Sequence, residues 1–165
     1  WVFQSTARDA FTLACTRGDH PNCPQPGPDI DIGAPILNVT LSTGQEILIA
    51  GTKGAVVYAL DPDNNGKVLW ETRVGRGSPL GGIHWGMTFV GDMLYVPVAD
   101  GGPLGGEGNQ RQPGLHAIDM KTGEVAWYQP PLPRCPEGMR CSDIYSAPAT
   151  SRLTSSTTRR SPCCS

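Results

Sequence analysis

The chain carries a repeated unit, and a repeat of this length restricts the fold more than any other feature of the sequence. Residues 57–70 read Val-Tyr-Ala-Leu-Asp-Pro-Asp-Asn-Asn-Gly-Lys-Val-Leu-Trp, and residues 115–127 read Leu-His-Ala-Ile-Asp-Met-Lys-Thr-Gly-Glu-Val-Ala-Trp. Each part of the unit has a physical reason. The apolar run before the aspartate is a strand buried on at least one face. Asp61 and Asp119 open a turn, because a carboxylate accepts the amides of the residues that follow. Gly66 and Gly123 supply the positive φ that closes a hairpin. The returning strand ends in Trp70 or Trp127, a large flat side chain suited to the gap between two packed sheets.

Each copy is preceded by another strand pair: residues 34–41 and 46–50 in the first unit, 84–90 and 93–98 in the second. Four short antiparallel strands in about 57 residues is the arithmetic of a propeller blade. The expected fold class is therefore all-β, a partial β-propeller of four-stranded antiparallel blades. Trp1–Gln4 reads as the last strand of a blade upstream, and Ile144-Tyr145-Ser146-Ala147-Pro148 starts another, paralleling Ile32-Gly33-Ala34-Pro35. Residues 1–150 are expected to form this partial propeller, a fragment of a larger ring. Residues 151–165 turn abruptly to Ser, Thr and Arg where a blade needs an aliphatic strand and a glycine turn. They are expected to be an aberrant or disordered tail, the product of a reading-frame or gene-model error, against the plainer reading of a natural Ser/Thr/Arg-rich end.

Composition agrees with many turns and narrows the partners. Glycine (21) and proline (16) exceed a fifth of the 165 residues, short of a low-complexity level. The net charge of −2 gives no electrostatic reason to expect nucleic acid. No apolar run approaches the ~18 residues that a membrane helix needs, so no membrane span is expected. The cysteines fall into close pairs, Cys15/Cys23, Cys135/Cys141 and Cys163/Cys164, without zinc or haem-attachment spacing. The first two pairs sit in loop-like sequence and fit disulfides in an oxidising compartment; free thiols in a cytosolic protein are the alternative. The glycine-rich stretch 101–109 lacks the Gly-Lys-Ser/Thr ending of a phosphate loop and reads as an insertion between strands.

The repeated Tyr-Ala-Leu-Asp…Gly-Lys-Val-Leu-Trp unit resembles that of pyrroloquinoline-quinone (PQQ) dehydrogenases. Residues 74–86, Val-Gly-Arg-Gly-Ser-Pro-Leu-Gly-Gly-Ile-His-Trp-Gly, and the stretch from Asn22-Cys23-Pro24 to Ala34-Pro35 are similar to the polyvinyl-alcohol dehydrogenase branch of quinoproteins. The resemblance covers about residues 1–149. It implies an eight-bladed propeller, PQQ near its axis, calcium, an alcohol substrate, a cytochrome electron acceptor, and a periplasmic or extracellular location. The chain supplies two complete blades and no haem motif, so by itself it is expected to be inactive. A non-catalytic scaffold for protein binding, as in outer-membrane assembly lipoproteins that share the repeat, is the alternative, and a damaged gene product with no function is a third reading.

In that family the loops leading into each innermost strand contact the cofactor; here these lead-in loops are residues 29–34, 76–85 and 142–147. PQQ presents three carboxylates and an ortho-quinone, so its site needs cationic donors, a flat apolar surface and oxygen ligands for calcium. Arg76 is the candidate fork for a carboxylate, and Trp85 the candidate flat surface. His84 is the candidate donor to the quinone or base, and Asp29 and Asp31 are candidate bases or calcium ligands. Each has a plainer reading: a loop cap for His84, interblade packing for Trp85, a solvated side chain for Arg76, turn hydrogen bonds for the aspartates. The vicinal Cys163-Cys164 pair lies in the tail and is given no cofactor role.

Overall fold

The computed structural model describes residues 1–13, 15, 27–100, 111–131, 145 and 147–151. Eight strands form two four-stranded antiparallel sheets. The first holds β1 (Leu37–Thr40), β2 (Glu46–Gly51), β3 (Val56–Asp61) and β4 (Lys67–Arg73), in that order across the sheet. The second holds β5 (Thr88–Val90), β6 (Met93–Val98), β7 (Gly114–Asp119) and β8 (Val125–Gln129). Each sheet is a simple meander, as a partial β-propeller requires.

The turn chemistry read from the repeat is present in both copies. The Asp61 carboxylate accepts the Asp63 amide at 3.0 Å, and that of Asp119 accepts the Lys121 amide at 2.8 Å. Gly66 (φ 69°) and Gly123 (φ 77°) adopt the left-handed conformation and donate back to the Asp61 and Asp119 carbonyls. Two details differ from expectation. The outer strands run past their tryptophans to Arg73 and Gln129, and both shift register one step before them, between Ala59 and Leu60 and between Ala117 and Ile118. This repeated bulge re-aims the tryptophan relative to the strand. The innermost strands start later than expected, at Leu37 and Thr88, because Pro35 and the positive-φ Gly86 interrupt them. Isolated bridges, Ile32 with Thr52 and Gly82 with Ala99, stand in their place.

The sheets share one core. Val39, Ile47, Ile49 and Val57 of the first pack with Leu94, Val96, Ile118 and Met120 of the second. The tryptophans join neighbouring units by one recurring contact. The Trp70 ring covers Gly123, where a Cβ would come within 2.7 Å of it, and its Nε1 donates to the Met120 carbonyl at 2.8 Å. Trp1 does the same one unit earlier, over Gly66 and onto the Pro62 carbonyl at 3.2 Å. Trp1 thus sits where a preceding unit's tryptophan would, although residues 1–4 form no strand. Trp127, the tryptophan of the second unit, is 44 % exposed.

A polar tie reinforces the same interface. Asp92, in the β5–β6 turn, accepts the Ser42 amide and hydroxyl and pairs with Lys121 at 3.1 Å. The Ser42 hydrogen bonds, with help from Lys121, pull its carboxyl from the usual 3.8 to about 2. A depressed carboxyl pKa stabilises the fold above the unfolded value and is lost as pH falls through the folded one. Stability should therefore drop between about pH 4 and pH 2 more steeply in the wild type than in Asp92→Asn. Urea midpoints measured across that range check it, and parallel slopes would count against the tie.

Candidate functional site

The antiparallel meanders sort the loops onto two ends. The tight hairpins, carrying Ser42, Asp61, Asp92 and Asp119, occupy one end. At the other lie residues 29–36, 52–55, 74–87, 99–100 and 111–113, so the first two predicted lead-in loops share an end with the residues that directly follow β2 and β6. Of the third lead-in loop only Tyr145 and Ala147 are described.

The first lead-in loop is organised by charge. Asp9 accepts the amides of Asp29 and Ile30, the latter at 2.8 Å, and Asp29 takes a positive φ of 56°. Lys53, whose side chain is 12 % exposed, reaches both Asp29 (2.5 Å) and Asp31 (2.7 Å). Burial pulls the Lys53 amine down, but the two carboxylates outweigh it and hold the pKa above its usual 10.5. Asp29 is largely enclosed, whereas the Asp31 side chain is 59 % exposed and lines a cleft of about 270 Å³ with Phe3, Ser5, Thr6 and Asp9.

The second lead-in loop lies across both sheets. Ser78 donates to the Lys53 carbonyl and Ile83 to the Thr52 carbonyl, each at 3.0 Å, while Gly82 and Ala99 exchange amide hydrogen bonds at 3.0 and 2.9 Å. Glycine is required where the backbones touch: a Cβ at Gly77 or Gly82 would overlap the backbone of Gly54 or Lys53. Gly33 brings the two loops together, since a Cβ there would stand 2.9 Å from the Lys53 side chain and 3.4 Å from the His84 Cα. His84 and Trp85 stack with ring centroids 4.9 Å apart. Trp85 is 51 % exposed, and the His84 Nδ1 is buried without a hydrogen-bond partner. The Arg76 amide is bound by Asp100.

The structure therefore brings Asp29, Asp31, Arg76, His84 and Trp85 to one end, with Gly33 and Lys53 linking the two loops. It also adds two residues that the sequence reading passed over, Lys53 and Asp100. Their signal is positional: each follows the bridge that closes the innermost strand of its sheet. Of the expected disulfide partners, Cys15 is described, and its Sγ accepts the Thr12 amide at 3.1 Å. Cys23, Cys135 and Cys141 lie outside the described residues.

No family model matches the chain, and no solved structure matches it. Two curated proteins do. A polyvinylalcohol dehydrogenase of Sphingopyxis sp. (strain 113P3) is 40 % identical over 131 residues, which is 77 % of this chain. Another of that name, from Pseudomonas sp, is 37 % identical over 154 residues, 92 % of the chain. The chain is similar to polyvinylalcohol dehydrogenases. It spans about a fifth of the length of each relative, 20 % and 22 %. Among the described residues no helix is long and apolar enough to cross a membrane.

Proposed function

We propose that the chain forms part of the cofactor end of a PQQ-dependent alcohol dehydrogenase. The observation that carries this reading is the His84–Trp85 pair: a buried ring nitrogen left without a partner beside a half-exposed indole, on a loop held against the other lead-in loop. An unsatisfied buried polar atom is costly in a protein built only to fold, and a ligand oxygen relieves it. PQQ, when bound, accepts two electrons from an alcohol. In this reading Trp85 offers the flat surface, the Arg76 guanidinium a fork for a carboxylate, and His84 a donor to a quinone oxygen. Asp31, with its exposed carboxylate, is the acceptor for a hydroxyl proton, and Asp29 braces Lys53.

Among the described residues the donor set does not fit calcium. Asp29 and Asp31 are already engaged by the Lys53 ammonium, and the described residues include no cluster of three or more His, Cys, Asp or Glu able to hold a metal. The names of the two relatives support an alcohol as the substrate. A cytochrome acceptor and a periplasmic or extracellular location complete the reading. Titrating the intact protein with PQQ, followed by quenching of tryptophan fluorescence, tests it. Saturable quenching is expected, weakened at least tenfold, or about 1.4 kcal/mol, by His84→Ala and by Arg76→Ala. Absence of saturable binding, or indifference to both substitutions, would count against it.

An oxidising compartment carries a further expected outcome: Cys15 pairs with Cys23, and Cys135 with Cys141. Each short closed loop adds roughly 2–3 kcal/mol on the chain-entropy account. Peptide mass spectrometry without reductant should recover both linked pairs, and alkylation of all four thiols would refute them.

A further inference from the structure

The two lead-in loops are held by one position of the repeat, occupied by opposite charges. In the first sheet Ile32 bridges Thr52, and the next residue, Lys53, holds the side chains of Asp29 and Asp31. In the second, Gly82 bridges Ala99, and the next residue is Asp100. Asp100 is 2 % exposed. Its carboxylate accepts the amides of Arg76 and Gly77, both at 2.8 Å, and of Gln112 at 2.9 Å. Gly75 has no Cβ where one would come within 2.8 Å of Asp100 Oδ2. We infer that Lys53 and Asp100 are the positioning residues of the two lead-in loops, each fixing the loop that runs into the innermost strand of its own sheet.

The physical case is the same for both. A charge taken out of water is costly unless it is fully engaged, and ionised hydrogen bonds are about twice as strong as neutral ones. A loop that left its clamp would strand a buried ammonium or carboxylate, so each clamp converts a flexible connection into a fixed one. The two clamps grip differently: Lys53 binds side chains, and Asp100 binds backbone. Asp100 also reaches across sheets. Arg76 and Gly77 follow β4 of the first sheet, while Gln112 precedes β7 of the second, so one carboxylate sets the first part of the His84–Trp85 loop against the second sheet. That these loops carry a ligand rests on the functional reading above; the clamping itself does not.

Hydrogen exchange on the intact protein, read by mass spectrometry, separates the two clamps, since local opening is reported segment by segment. Lys53→Met should speed exchange of residues 29–31 about tenfold and leave 76–77 and 112 within about twofold. Asp100→Asn should do the reverse. Where Asn prevents folding, Asp100→Ser, smaller and still an acceptor, takes its place. Equal release of both loops, release of neither, or global unfolding in every Asp100 variant would overturn the inference. PQQ titration of the same proteins forms a second arm. A tenfold loss of affinity with an unchanged melting temperature marks positioning of a ligand site, which a purely structural role would not produce. Where the wild type takes up no PQQ, the functional reading fails while the exchange pattern still decides the clamps.

Discussion

Replacing Trp70 with alanine should destabilise the paired sheets by about 3 kcal/mol, a large share of the margin of a domain this size. The figure sits at the low end for a buried tryptophan because the ring is only partly buried against the core. Three things are lost together. The ring no longer covers Gly123, the Met120 carbonyl loses its 2.8 Å donor, and the interface between the sheets opens to water. Trp70→Phe separates these effects. It keeps most of the covered surface and forfeits the hydrogen bond, so a cost nearer 1 kcal/mol is expected. Urea melts followed by far-ultraviolet circular dichroism supply both numbers. A Trp70→Ala loss under about 1 kcal/mol would mean that the shared aliphatic core, and not the tryptophan, joins the sheets.

This interface was legible in the sequence because its parts are local and repeated. Asp61, Gly66 and Trp70, and again Asp119, Gly123 and Trp127, announce a turn and a packing residue at fixed spacing. The fold class followed from two such units. Less was legible at the other end. The spacing placed residues 29–34 and 76–85 in the loops that lead into the innermost strands, and both do lie there. It did not show that Asp29 and Asp31 are engaged by Lys53, because those contacts span 24 and 22 residues and depend on how β2 ends beside the loop. Nor did it show Asp100, whose partners Arg76, Gly77 and Gln112 come from two separate connections. A charge that organises distant backbone has no periodicity and no motif. The late start of β1 and β5 has a related cause, since the apolar runs continue through Pro35 and Gly86 while the regular ladder does not.

The end with the candidate site should be the more sensitive to a single methyl group, and Gly82→Ala is the sharpest case. Two penalties are superposed there. Gly82 sits at φ 65°, which costs an L-residue roughly 1–2 kcal/mol. The added Cβ would also overlap the Lys53 carbonyl oxygen, and the Ala55 amide stands only 2.9 Å away. That carbonyl cannot simply retreat, because it accepts the Ser78 amide at 3.0 Å. Forcing the backbones apart adds about 1–3 kcal/mol, so a total near 3 kcal/mol is expected. Gly44→Ala provides the comparison. Gly44 has a φ of 86° yet nothing within 4 Å of its Cβ position, so it isolates the conformational cost, about 1 kcal/mol. The difference between the two variants in urea melts measures the close approach itself. Gly82 also precedes Ile83 and His84 and forms the bridge to Ala99, so a displaced loop should alter the surroundings of Trp85 as well. Acrylamide quenching of tryptophan fluorescence should change in Gly82→Ala and stay at the wild-type value in Gly44→Ala. Equal stability losses in the two variants, with unchanged quenching in both, would show that the loop yields to the methyl group and does not hold His84 and Trp85 in place.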